Sequence, residues 1–108
     1  MRLILALLLA VATHASAAEL LGRVVKVADG DTITVLDAGR VQHVVRLAGI
    51  DAPEKGQPFG QVSRRRLVER VIAHDVAVEW HKRDRYGRLV GVVMLDGQDV
   101  NLELVAAG

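Results

Sequence analysis

Residues 27–48, VADGDTITVLDAGRVQHVVRLA, decide how the rest of the chain is read. Asp29-Gly30 suits a tight hairpin because glycine accepts positive φ. After it, Ile33 and Val35 alternate with Thr32 and Thr34, the period of a strand with one buried face, which predicts a strand over 31–36. Asp37-Ala38-Gly39-Arg40 reads as the next turn, and HVVRLA (43–48) as the strand that follows. Upstream, valines at 24, 25 and 27 place the first strand over 21–27. Short strands this closely spaced point to a small barrel or sandwich.

Outward from that core, a polar loop over 49–57 holds Asp51, Pro53 and Glu54. In 60–73, Leu67, Val68, Val71 and Ile72 recur at helical spacing, with Arg64, Arg65, Glu69 and Arg70 on other faces. VAVEW (76–80) is a fourth strand, His81 to Arg88 a charged loop, and LVGVVML (89–95) a fifth strand. Asp96-Gly97 turns the chain, and Asn101 is placed to cap a last short helix over 102–107. The order is βββ-α-ββ-α. Five strands with a helix between the third and fourth is the layout of an OB-fold, a five-stranded Greek-key β-barrel, so the expected class is mainly β with helices (α+β).

The first seventeen residues read differently. Arg2 precedes an apolar run from Leu3 to Ala12, and Ala15-Ser16-Ala17 follows. Basic, then apolar, then small-x-small is the order of a secretory signal peptide, and the run is too short to span a bilayer. Residues 1–17 are therefore expected to be removed, within one or two residues, leaving an exported domain over 18–108 in the periplasm or medium, with no membrane segment in its mature form. Loss of Arg2 leaves the thirteen remaining basic side chains against thirteen acidic ones. Global charge then says nothing about nucleic acid, and any attraction must come from local clusters. Cysteine is absent, so the domain stands on packing or a bound ligand rather than on disulfides.

Four segments resemble the thermonuclease (staphylococcal-nuclease-like) family: VADGDTITV (27–35), VRLAGIDAPE (45–54) with QPFG (57–60), DRYGR (84–88), and DGQDVNLELVAAG (96–108). They occur in family order and, with their linking elements, cover nearly all of 23–108. The resemblance implies a calcium-dependent endonuclease acting on DNA and RNA, single strands more readily than duplex, and a monomer. Position by position, it implies that Asp31, Asp51 and the Ala52 carbonyl hold Ca2+. Arg46 and Arg88 would contact the scissile phosphate, and Glu54 would serve as general base or orient the attacking water.

The chemistry is consistent with those residue types. Phosphodiester hydrolysis gathers negative charge at phosphorus, so a catalyst gains by neutralising it, positioning water and accepting a proton. A hard cation takes oxygen ligands, and two aspartates at neighbouring strand ends suit it. Arginine grips two phosphate oxygens and stays charged. Each residue also has a structural alternative. Arg46, inside an apolar strand, could pair with Asp51 or Glu54. Arg88 could be a solvated loop charge. Arg64, Arg65 and Arg66 read as a solvated helix face, whereas Lys82, Arg83 and Arg85 are better placed to contact nucleic acid. Tyr86 and Trp80 read as packing residues and Gly87 as a backbone angle, and His43, His74 and His81 lack metal-ligand spacing. A non-catalytic OB-type nucleic-acid-binding module is the second reading; few aromatics argue against it. The chain stops at LVAAG, where the family continues into an aromatic segment and a C-terminal helix, which reads as a truncated, weakly stable domain, as a naturally short and weakened variant, or as an inactive fragment. After the first helix, Ala73 stands near the position where the family favours glycine.

Overall fold

A computed structural model describes residues 17–50, 52, 57 and 59–106. The expected signal peptide, Ala17 apart, and Asp51 and Glu54 lie outside the described residues. Strands β1 (Ala18–Asp29), β2 (Thr32–Leu36) and β3 (Gln42–Leu47) come first, followed by helix α1 (Gly60–Val71). Then come β4 (Asp75–Arg83), β5 (Leu89–Leu95), the two-residue β6 (Gln98–Asp99) and helix α2 (Val100–Ala106). The sheet order is β3-β2-β1-β4-β5-β6, and a parallel β3–β5 pairing closes the first five strands into a barrel. That is the expected OB-type α+β fold.

Closure follows from pattern and from bulges. The β5 sequence LVGVVML buries every second residue, so Leu89, Gly91, Val93 and Leu95 face the interior. Ile33, Val35, Val45, Leu47, Leu67 and Val78 complete the same core at zero exposure. Register shifts between Val24 and Lys26, Val27 and Asp29, and Trp80 and Lys82 add local twist, which curls the sheet on itself. Gly91 is required where strands crowd: a Cβ there would meet the Glu79 carbonyl oxygen at 2.6 Å. No helix among the described residues is long and apolar enough to cross a membrane.

Several expectations need correction. β1 runs from Ala18 rather than Leu21, because its first five residues are held by pairing with β4 from Ala18↔Trp80 to Gly22↔Val76. β2 is not half-buried: Thr32 and Thr34 are 6% and 9% exposed, and the Thr32 hydroxyl donates to Asp31 Oδ1 at 2.9 Å. β4 continues through His81, Lys82 and Arg83, so the loop before β5 is only Asp84 to Arg88. Trp80 is partly buried against the core, with the Arg83 guanidinium 5.5 Å from its ring.

The C-terminal helix shows the largest local departure. Its cap is Asp99, whose Oδ1 accepts the Leu102 amide at 2.9 Å. Asn101 lies inside the helix and is 5% exposed. Its Oδ1 accepts the Val93 amide, and its Nδ2 donates to the Ala48 and Gly91 carbonyls, all at 3.0 Å. One side chain thus pins α2 to β5 and to the end of β3, with its polar atoms satisfied. Arg70 adds a bidentate link from α1 to Glu103, at 2.7 and 3.0 Å. Hydrogen bonding from Arg70 holds the Glu103 carboxyl below its ordinary pKa. At the other end of the linkage α1 stops in the way the glycine preference implies. Ala73 takes φ 62°, and its amide donates to the Val24 carbonyl at 2.9 Å.

Candidate nucleic-acid site at the barrel rim

The site grows from the β1–β2 turn and the end of β3. Thr32 pairs in register with Arg46, and the Leu47 amide donates to the Asp31 carbonyl at 2.8 Å. Asp31 and Arg46 are therefore brought side by side by backbone pairing. Their side chains meet: Arg46 Nη1 lies 3.0 Å from Asp31 Oδ2, with the two side chains 26% and 13% exposed. A pair so shielded is screened less by salt than a surface one. Nη1 also donates to the Ile50 carbonyl at 2.6 Å and, more weakly, to that of Leu47 at 3.3 Å. The 47–50 turn wraps the guanidinium, and Gly49 at φ 74° makes that turn possible.

Among the described residues the carboxylate partner of Arg46 is Asp31, while Asp51 and Glu54, the partners expected from the sequence, lie outside the described residues. The loop beyond Ile50 returns to the same place at Ala52. A Cβ added to Gly30 would meet Ala52 Cβ at 3.0 Å and Ser63 Cβ at 2.7 Å. Ala52 and the first turn of α1 thus pack against the residue preceding Asp31.

Arg88 comes from the β4–β5 turn. It immediately precedes β5, where Val90 pairs with Arg46 across the parallel β3–β5 ladder. Leu89 and Gly91 point inward, so residue 88 belongs with Val90 on the outer face, as Arg46 does between inward Val45 and Leu47. Arg88 is not a loosely solvated charge. Its Nε lies 2.6 Å from Asp84 Oδ2, its amide donates to Asp84 Oδ1 at 2.9 Å, and its guanidinium stands 5.3 Å from the Tyr86 ring. Desolvation opposes ionisation of Asp84, but the bonds from the Arg88 amide, the Arg88 guanidinium and the Tyr86 amide outweigh it. Its pKa consequently lies below the ordinary value.

Tyr86 is not a packing residue, since it is 68% exposed. Arg85 flanks it, with the guanidinium 4.9 Å from the ring and Nη2 donating to the phenol oxygen at 2.8 Å. Between this turn and the 47–50 turn lies a cleft of about 390 Å³, lined by Arg46, Lys82, Arg83 and Asp84 among others. Lys82 and Arg83 thus line the same cleft as Arg46, while Arg85 sits on the turn that follows them. Arg64 departs from the expected solvated face, because its Nε donates to the Val27 carbonyl at 3.0 Å. Among the described residues no group of three His, Cys, Asp or Glu side chains converges as a metal site. Of the three expected metal ligands, Asp31 and Ala52 are among the described residues.

A closed five-stranded barrel with a helix between its third and fourth strands and a guanidinium-lined cleft at one rim is a small β-barrel of the OB type. Comparison narrows it. A family described as Staphylococcal nuclease homologue matches residues 44–108. The chain is 48% identical over 86 residues to an uncharacterized endonuclease of Haemophilus influenzae, covering 80% of this chain and 48% of that protein. It is 46% identical over 92 residues to an uncharacterized endonuclease of Escherichia coli O157:H7, with coverages of 84% and 60%. To the micrococcal nuclease of Shigella flexneri it is 50% identical over 76 residues, covering 70% and 43%. The chain belongs to the staphylococcal nuclease homologue family. It spans roughly half the length of these relatives, from 43% to 60%.

Proposed function

We propose that this chain carries the catalytic barrel of an exported, calcium-dependent endonuclease that hydrolyses phosphodiester bonds of DNA and RNA, single strands preferentially, as a monomer. The observation that carries this reading is the Arg46–Asp31 pair at 3.0 Å on the cleft rim. It sets a phosphate-binding cation beside a hard oxygen donor. Family membership and relatives named as nucleases support the same reaction.

The donor set suits a hard cation. Asp31 offers carboxylate oxygens, and Ala52, beside Gly30, offers a backbone carbonyl; Asp51 is the remaining proposed ligand. When bound, Ca2+ supplies Lewis-acid neutralisation of the phosphate charge. Arg46, held through Nη1, grips a phosphate oxygen with its other nitrogens. Arg88, oriented by Asp84, contacts the same phosphate from the β5 side. Glu54 positions water and accepts its proton as the P–O bond opposite breaks. Lys82, Arg83 and Arg85 draw the flanking backbone into the cleft, with affinity that falls as salt rises. Export is supported by the position of β1, which opens at Ala18, immediately after the proposed cleavage site.

Cleavage of a single-stranded oligonucleotide in Ca2+, in excess EDTA, and by Glu54→Ala tests the reading. Cleavage in Ca2+ only, at least about 100-fold slower in the variant, is expected. Binding without cleavage in every condition would leave only the nucleic-acid-binding module.

A further inference from the structure

Helix α1 opens on Phe59, whose backbone lies in the left-handed region at φ 66° and whose residue surface is 76% exposed. A bulky side chain there is a conformational outlier, and glycine is the ordinary occupant. An exposed ring buries little on folding, so packing does not account for it. Strain retained without a folding gain points to a functional use of the side chain.

Its surroundings say which use. The Ser63 amide donates to the Phe59 carbonyl at 3.0 Å, which makes Ser63 one helical turn away. Ser63 in turn abuts Gly30, next to Asp31. The Phe59 backbone therefore lies one helical turn from Ser63, the residue that abuts Gly30 beside Asp31. Further along α1, Val62 (51% exposed) and Arg66 follow at i+3 and i+7, the spacing of one helix face, with exposed Arg65 beside them. An aromatic ring followed by guanidinium groups is what a single strand needs, since bases stack on the ring and phosphates meet the cations.

We propose that Phe59 is a stacking platform for a nucleobase flanking the scissile phosphate, and that the exposed face of α1 leads the strand away from the cleft. The proposal rests on the nuclease reading, and the test separates the two. Two single-stranded DNAs of equal length are compared, one carrying thymine and one abasic throughout. Affinity is read by fluorescence anisotropy in EDTA, and kcat/KM in Ca2+.

The wild-type chain is expected to favour the thymine strand. Phe59→Ala weakens binding of that strand by about 5- to 150-fold, the range set by stacking of a single base. It leaves the abasic strand unchanged, and Phe59→Trp restores the preference. In Ca2+ the loss falls on KM rather than kcat. Phe59→Gly, which relieves the backbone, melts at the same or a higher temperature. If neither strand is cleaved, the nuclease reading fails, and the binding preference still decides the role of Phe59. Equal wild-type affinity for the two strands, an equal loss on both in Phe59→Ala, or a lower melting point for Phe59→Gly overturns the proposal.

Discussion

Two turns of this barrel share one backbone skeleton and carry different side chains. In Asp37–Val41 the Asp37 amide donates to the Val41 carbonyl at 3.0 Å, the Arg40 amide to the Asp37 carbonyl at 3.0 Å, and the Val41 amide to Asp37 Oδ1 at 2.9 Å. In Asp84–Arg88 the same three bonds recur at 2.9, 3.0 and 2.9 Å. The fourth residue is left-handed in both, Arg40 at φ 64° and Gly87 at φ 81°. The second carboxylate oxygen takes His43 Nε2 at 2.8 Å in the first turn and Arg88 Nε at 2.6 Å in the second. The aspartate builds the turn in both places. What differs is that one turn tethers a strand residue, while the other aims a guanidinium at the rim beside an exposed tyrosine. Turn geometry is therefore a structural property here, and the proposed function rests on what the second turn displays.

The two turns should differ most at the cations they display. Arg88→Ala is expected to lower kcat/KM on single-stranded DNA by about 100- to 1000-fold, the usual cost of removing one charge-stabilising donor. Arg40→Ala, on the matching turn, should leave it unchanged. Equal effects would mean that Arg88 does not touch the reaction. The shared aspartates give a smaller, split result. Asp37→Asn and Asp84→Asn should both lower the melting temperature, but only Asp84→Asn should slow cleavage, by roughly tenfold, as Arg88 loses its anchor.

The left-handed position separates the two turns further. Gly87→Ala should cost about 1 kcal/mol in denaturant unfolding, and Arg40→Gly should gain up to about 1 kcal/mol. Acid gives the smallest effect. Both carboxyls titrate below their ordinary 3.8, Asp37 chiefly through its bond from His43 and Asp84 through Arg88 and its amide partners. A depressed carboxyl contributes stability that is complete above the unfolded value and lost as pH falls through the folded one. Melting temperature should therefore be insensitive to these groups from pH 5 to 7 and fall below about pH 4. The Asp→Asn variants should show a shallower acid fall.

Much of this barrel was legible in the sequence, because its strands announce themselves through valine alternation and Asp-Gly turns. The parts that were not legible depended on partners distant in the chain. Ala18, Glu19 and Leu20 carry no strand signature and become strand only because β4 lies beside them. His81, Lys82 and Arg83 look like loop by composition, yet extend β4 as an exposed edge. Asp99 and Asn101 are equally good caps by residue type. The choice falls to Asp99 because the Asn101 amide finds three backbone partners inside. At the site, Asp31, Arg46 and Arg88 could be singled out by motif. That Arg46 would meet Asp31 follows only from the Thr32↔Arg46 register. Phe59 carries no sequence signal for its left-handed backbone, although an aromatic directly before a helix that buries its first glycine is a hint in retrospect.

A double-mutant cycle on kcat/KM, made from Arg46→Ala, Arg88→Ala and the pair, tests the convergence of β3 and β5 on one phosphate most directly. Groups acting on the same charge lose most of their value when either is removed, so the double variant should be little worse than the more damaged single one. Strictly multiplicative losses would show that the two guanidinium groups serve separate phosphates, and would contradict the account.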